Sequence, residues 1–215
     1  MRRPQLESSI GRLRRRPRFV DWWLRGSVGV ALAAAVLLLA QTAGAQSRPI
    51  DRERSTLTVY VYKSGFFSAF ADDHVIDAAP TGTLSEVEPL SVTLEVQAAA
   101  MKVRDPNLSP SKRAEVQMRM IGPEVLDTAS FPSIAFASAS IRPAGADRWT
   151  VAGRLTIHGQ SHDVTFPVVR ANGRYKGSVA LKQRDYGIMP ISIAGGTVKV
   201  KDEIKIEFDI APGDR

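Results

Sequence analysis

Three histidines and their acidic neighbours are the residues in this 215-residue chain whose types and spacing could do chemistry. His74 follows Asp72 and Asp73, an imidazole beside two carboxylates, the donor set from which a divalent metal site or an acid/base pair is built. Neighbouring strand residues point to opposite faces, so the three converge only where the backbone is not extended. Two other readings fit the same residues: a solvated loop whose histidine packs against nearby phenylalanines, and a histidine that hydrogen-bonds the head group of a ligand. His158 and His162 flank a turn and would supply two metal ligands if Asp163 joined them. Alternation displaces Asp163 to the other face, and catalytic zinc wants three protein ligands, so the pair reads as exposed turn residues. Arg184-Asp185-Tyr186-Gly187 offers an ion pair or a polar reach toward a ligand, with Gly187 permitting a bend. The chain has no cysteine, which excludes disulfides, thiolate nucleophiles and Cys-ligated zinc. It also lacks a Gly-x-Ser-x-Gly elbow, a phosphate loop and an H-E-x-x-H helix. No catalytic residue, metal or cofactor is expected.

The elements that would position these residues are strands. Thr56–Tyr62 alternates so that Leu57, Val59 and Val61 share a face, and Ser91–Gln97 does the same with Val92, Leu94 and Val96. Ser111–Ile121 reads as a short helix, although Met118 and Met120, two apart, sit poorly on one helical face. Strand signals then recur at Ile134 and Phe136, at Trp149, Val151, Leu155 and Ile157, and at Val164, Phe166 and Val168. Val151–Phe166 is expected to be a hairpin turning at Gly159-Gln160-Ser161. Asn172-Gly173 announces a second tight turn before Tyr175–Lys182. Glu203–Asp209 sets Ile204, Ile206 and Phe208 against charged residues. About eight antiparallel strands with no intervening βαβ helix predict an all-β barrel or sandwich with a short helical insertion.

The segments V-L-D-T-A-S-F-P-S-I-A-F-A-S (Val125–Ser138), L-T-I-H-G-Q-S-H-D-V-T-F (Leu155–Phe166) and Q-R-D-Y-G-I (Gln183–Ile188) resemble the YceI family of periplasmic lipid-binding proteins. The resemblance covers nearly all of Ser55–Ile210 and departs at K-S-G-F-F-S-A-F-A-D-D-H-V-I (Lys63–Ile76). It implies an up-and-down, lipocalin-like barrel whose interior holds an isoprenoid or a similar amphiphile. On that basis Phe66, Phe67, Phe70, Phe136, Ile188 and Met189 are the candidates to line an apolar cavity, and His74, Arg184 and Tyr186 the candidates to meet a head group. A metal-dependent enzyme built on His74 with Asp72 or Asp73, and a barrel with a filled interior serving as an interaction or stress module, are the alternatives.

The first 45 residues have the layout of a cleaved secretory signal. A leader rich in arginine precedes the 13-residue apolar run Val28–Ala40, and Ala43-Gly44-Ala45 places small residues at the cleavage positions. The run is shorter than the roughly 20 residues a membrane-spanning helix needs. An uncleaved anchor beginning at Trp22 is the alternative. The leader holds eight of the 29 Lys+Arg but only two of the 22 Asp+Glu, so the remainder is close to neutral and the basic whole-chain charge says nothing of nucleic acid. The expected setting is the periplasm or the secreted fraction, with transient contact to a membrane or membrane partner.

Overall fold

The computed structural model describes residues 47–64, 73–193 and 198–214. The leader, Phe66, Phe67, Phe70 and Asp72 lie outside the described residues. Alternating apolar and polar side chains produce the strands β1 (Ser47–Pro49), β2 (Thr56–Ser64), β3 (His74–Ala78), β4 (Thr81–Ser85), β5 (Ser91–Gln97) and β6 (Lys102–Val103). After the helix α1 (Pro110–Ile121) come β7 (Ser133–Gly145), β8 (Arg148–Ile157), β9 (Gln160–Ala171), β10 (Arg174–Lys182), β11 (Ser192–Ile193) and β12 (Val198–Ile210). They form one antiparallel sheet in the order β1-β4-β5-β7-β8-β9-β10-β12-β2-β3-β6, with β11 beside β12. The sheet curls into a half-barrel. Among the described residues β1, β6 and β11 are pieces of two or three residues, leaving nine longer strands against the eight or so expected, the short β3 and β4 among them.

The hairpins are closed by glycine chemistry. Asn172 and Gly173 both take positive φ, 52° and 73°, as a two-residue turn matched to strand twist requires. The β8–β9 turn uses the same conformation at His158 and Gly159, φ 49° and 73°. It therefore lies one residue earlier than the predicted Gly159-Gln160-Ser161, because histidine tolerates the left-handed conformation here. Its ring stacks on Phe131 at 4.3 Å between centroids.

Two devices finish the sheet's edges. At one end Ile50, just after β1, bridges Pro212, just after β12, and donates its N–H to the Gly82 carbonyl. At the other, α1 covers β6: the Gln117 side chain accepts from the Val103 N–H at 2.8 Å and donates to the Met101 carbonyl at 2.9 Å, so an edge strand is satisfied by a helix. Ser109 caps α1 by accepting from the Lys112 N–H, and Pro110 occupies the first turn, where no amide is needed. Met120 is buried on the core side of α1 while Met118 is 66% exposed, which resolves their awkward spacing.

The ladder between β9 and β10 is short. It joins Arg174–Gly177 to Val168–Ala171 and, among the described residues, goes no further, whereas β9 remains paired to β8 and β10 to β12 along their lengths. Pro167, next to the last pair, has no N–H to extend it.

Candidate ligand-binding site

The inward positions enclose two apolar chambers and a mouth. The first chamber, about 160 Å³, is lined by β2 residues Leu57, Val59 and Val61, by Ile204 and Ile206 of β12, and by residues from most other strands. Gln183 and Tyr186 are the polar side chains in its lining. Gln183 is satisfied, donating to the Lys201 carbonyl at 2.8 Å. Tyr186 is 3% exposed, and its hydroxyl is the buried side-chain polar atom without a partner among the described residues. Buried tyrosine hydroxyls ordinarily find a partner, so this one asks for an explanation. Burial, and then the nearby Asp185 carboxylate, push the Tyr186 pKa up, so the group stays a neutral donor.

Tyr186 is placed by a 3-10 turn, Gln183–Tyr186, that ends at Gly187 with φ 72°, the bend expected of that glycine. Its ring meets the edge of His162 at 5.1 Å. The two histidines of the turn therefore serve different rings, His158 on Phe131 and His162 on Tyr186, and do not form a pair. Asp163 instead faces Arg154 at 3.2 Å on the solvated side.

The mouth, about 340 Å³, adjoins the first chamber and shares Val61, Ile76, Met120, Val125 and Gln183 with it. Its rim carries His74, Lys63, Lys112, Glu115, Arg119 and Lys199. His74 does not gather its sequence neighbours: Asp73 accepts from the Lys63 N–H at 2.8 Å instead. The partner of His74 is Asp105, with Nδ1 2.6 Å from Oδ2, and the other carboxylate oxygen accepts from the Val75 N–H at 2.7 Å. The Asp105 side chain is 1% exposed. With Nδ1 held by the carboxylate, Nε2 is the ring nitrogen left for another partner. Among the described residues no three His, Cys, Asp or Glu side chains converge as a metal site would require. Asp105 lies 31 residues from His74, and nothing in the local spacing announced it.

The second chamber, about 180 Å³, lies toward the opposite end and finishes in a polar cluster. Glu86 accepts from the Tyr175 hydroxyl at 2.7 Å and from Arg48 Nη1 at 2.8 Å, with Arg170 at 3.6 Å. The hydrogen bond from Tyr175, and then the charges of Arg48 and Arg170, outweigh burial and hold the Glu86 carboxyl below its ordinary value. Burial and the bond to Glu86 push Tyr175 up to about 12.

Of the residues singled out for a cavity, Phe136 lines both chambers and Ile188 lines the first. Phe66, Phe67 and Phe70 lie outside the described residues. Met189 is 62% exposed, whereas its neighbour Ile188 is buried, so of these two adjacent residues only Ile188 enters the core. Among the head-group candidates, His74 lines the mouth and Tyr186 the first chamber. Arg184 is exposed and tied to Asp202, whose carboxylate accepts the Arg184 N–H at 3.0 Å and sits 4.0 Å from the guanidinium. It does not pair with Asp185. Phe166, Phe208 and Trp149 were legible as inward residues, and their place in the chamber walls follows from register.

Residues 49–211 match the YceI-like domain family. The chain is 26% identical over 191 residues to a UPF0312 protein of Shewanella sp. (strain W3-18-1), covering 85% of this chain and 88% of the relative. It has the same identity and coverage with a UPF0312 protein of Shewanella putrefaciens (strain CN-32). The fold is shared with the crystal structure of Burkholderia cenocepacia BcnA at 18% identity and a TM-score of 0.57, over 75% of this chain and 98% of that one. A curled antiparallel sheet, one helix over its edge and a family match across nearly the whole described region together place this chain in the YceI-like family.

Proposed function

We propose that the protein holds an isoprenoid or similar amphiphilic lipid inside the half-barrel, for transport, storage or sequestration after export to the periplasm or beyond. The observation that carries this reading is the first chamber: an apolar cavity whose lining includes Tyr186, its hydroxyl buried and unpartnered, next to a mouth rimmed by polar and charged groups. An apolar tail entering it gains about 25 cal/mol for each Å² removed from water. A head-group oxygen that reaches Tyr186 supplies the partner its hydroxyl lacks, and His74, held by Asp105, offers its other ring nitrogen at the rim. Such a carrier requires no catalytic residue.

The test is to express the chain from Gln46 in a lipid-containing host, purify it without detergent, and record native and then denaturing mass spectra. A co-purifying hydrophobic molecule with an isoprenoid mass ladder supports the reading. A ligand-free mass that persists after lipid extract is offered overturns it. Export is tested separately by the N-terminal mass of protein recovered from outside the cytoplasm, expected to begin at Gln46.

A further inference from the structure

We propose that Phe136, Phe166 and Phe208 form a partition across the half-barrel that fixes how much tail the first chamber accepts, making this protein selective for short-tailed amphiphiles; the inference rests on the lipid-holding reading above. Four residues line both chambers: Leu94 and these three phenylalanines. Phe166 stands between the other two rings, 5.4 Å from Phe136 and 5.4 Å from Phe208 between centroids, in tilted and edge-on contacts. The three rings thus form one continuous layer from β7 through β9 to β12, and such contacts favour the closed arrangement over rings swung apart.

The barrel wall is shaped to receive the layer. Gly153 of β8 falls at an inward position between Val151 and Leu155, and a Cβ there would lie 2.7 Å from the Phe136 ring and 2.3 Å from the Ala137 carbonyl. Gly177 of β10 is also at an inward position, and a Cβ there would lie 2.5 Å from the Phe208 ring and 2.4 Å from the Pro167 carbonyl. Two strand-interior glycines, which weaken a strand for want of a side chain, are each roofed by one of the outer rings. The outer edges of Phe136 and Phe208 therefore reach the wall at these two glycines, and both rings meet Phe166 in the middle. Neither chamber alone, about 160 and about 180 Å³, reaches the roughly 300 Å³ at which sites for larger ligands begin. From His162, against which Tyr186 packs, to Phe166 is four strand residues, at most about 13 Å of depth before a tail meets the partition.

The experiment is a chain-length series of prenols, geraniol, farnesol, geranylgeraniol and solanesol, titrated into delipidated wild type and into Phe166→Ala. In the wild type, affinity rises along the series and then stops rising once the tail reaches the rings, so geranylgeraniol and solanesol bind no tighter than the last prenol that fits. In Phe166→Ala the two chambers join, and geranylgeraniol binds at least about tenfold tighter than to the wild type, since each added buried methylene carries a severalfold gain. Affinity for geraniol, whose tail is the shortest of the series, changes far less than affinity for geranylgeraniol. Phe166→Leu, a milder change, is the second variant should the alanine fail to fold, and its break moves in the same direction by less. A wild-type affinity that climbs through solanesol without a break overturns the partition and leaves the lipid-holding reading standing. Absence of binding by every prenol to both proteins overturns the two together.

Discussion

Changing Tyr186 to phenylalanine removes one oxygen and leaves the ring packed on His162, and its consequences for stability and for binding have opposite signs. A buried donor without a partner costs about 1–3 kcal/mol of desolvation, which phenylalanine does not incur. The low end of that range, about 1 kcal/mol, is the expected gain. For a domain of this size that is a rise in melting temperature of about 2–4 °C. A ligand oxygen that accepts from Tyr186 loses one hydrogen bond in the variant, a weakening of about 0.5–1.5 kcal/mol, or up to about tenfold. The assay is thermal unfolding of delipidated wild type and Tyr186→Phe side by side, followed by farnesol titration of both. A delipidated variant that melts several degrees below the wild type refutes the reasoning, because the hydroxyl would then hold a structural partner. Unchanged affinity in a more stable variant would remove Tyr186 from the head-group contacts alone.

Glu86 has a depressed folded pKa, so its contribution to stability is present above the unfolded carboxylate value, about 4, and is lost as pH falls through the folded one; Glu86→Gln should flatten the acid limb of a stability-versus-pH curve measured by urea unfolding. Asp105→Ala strips partners from His74 and from the Val75 N–H and should cost about 2–3 kcal/mol in the same assay, whereas Asp105→Asn, which can still accept from the backbone, costs less. Gly177→Ala drives a methyl into the Pro167 carbonyl and the Phe208 ring and should destabilise by about 1–3 kcal/mol, with a change in the near-ultraviolet circular dichroism of the aromatic layer.

Periodicity made most of the fold readable, and contact across strands made the site hard to read. Ser91–Gln97 coincides with β5 residue for residue, and the inward sets Leu57-Val59-Val61 and Ile204-Ile206-Phe208 face the chamber as alternation demands. These are local properties of a pleated chain with one buried face. The β8–β9 turn lies one residue before the glycine-led position because His158 itself takes positive φ, a conformation that histidine, like aspartate and asparagine, adopts more readily than most residues. The His74–Asp105 pair and the roofing of Gly153 and Gly177 depend on which residues the register brings side by side, and no periodicity encodes register between distant strands. Residue type alone puts Met189 inside with Ile188, yet the two are adjacent and the structure buries only Ile188.

The short β9–β10 ladder distributes mechanical strength unevenly around the wall. Four residue pairs join β9 to β10, fewer than the five that join β5 to β7, and cohesion ends at Gly177 and Val168, beside a residue that cannot donate. Local opening follows the fewest bonds broken, so the half-barrel yields first along this line. Amide hydrogen exchange should rank the halves of β9 and β10 beyond the ladder as the most readily opened backbone in the wall. The first chamber lies directly behind them, with Val164, Val179 and Tyr186 belonging both to its lining and to the groove along the divergence. Tyr186 thus sits at the seam where the long strands of the wall are held by the fewest bonds.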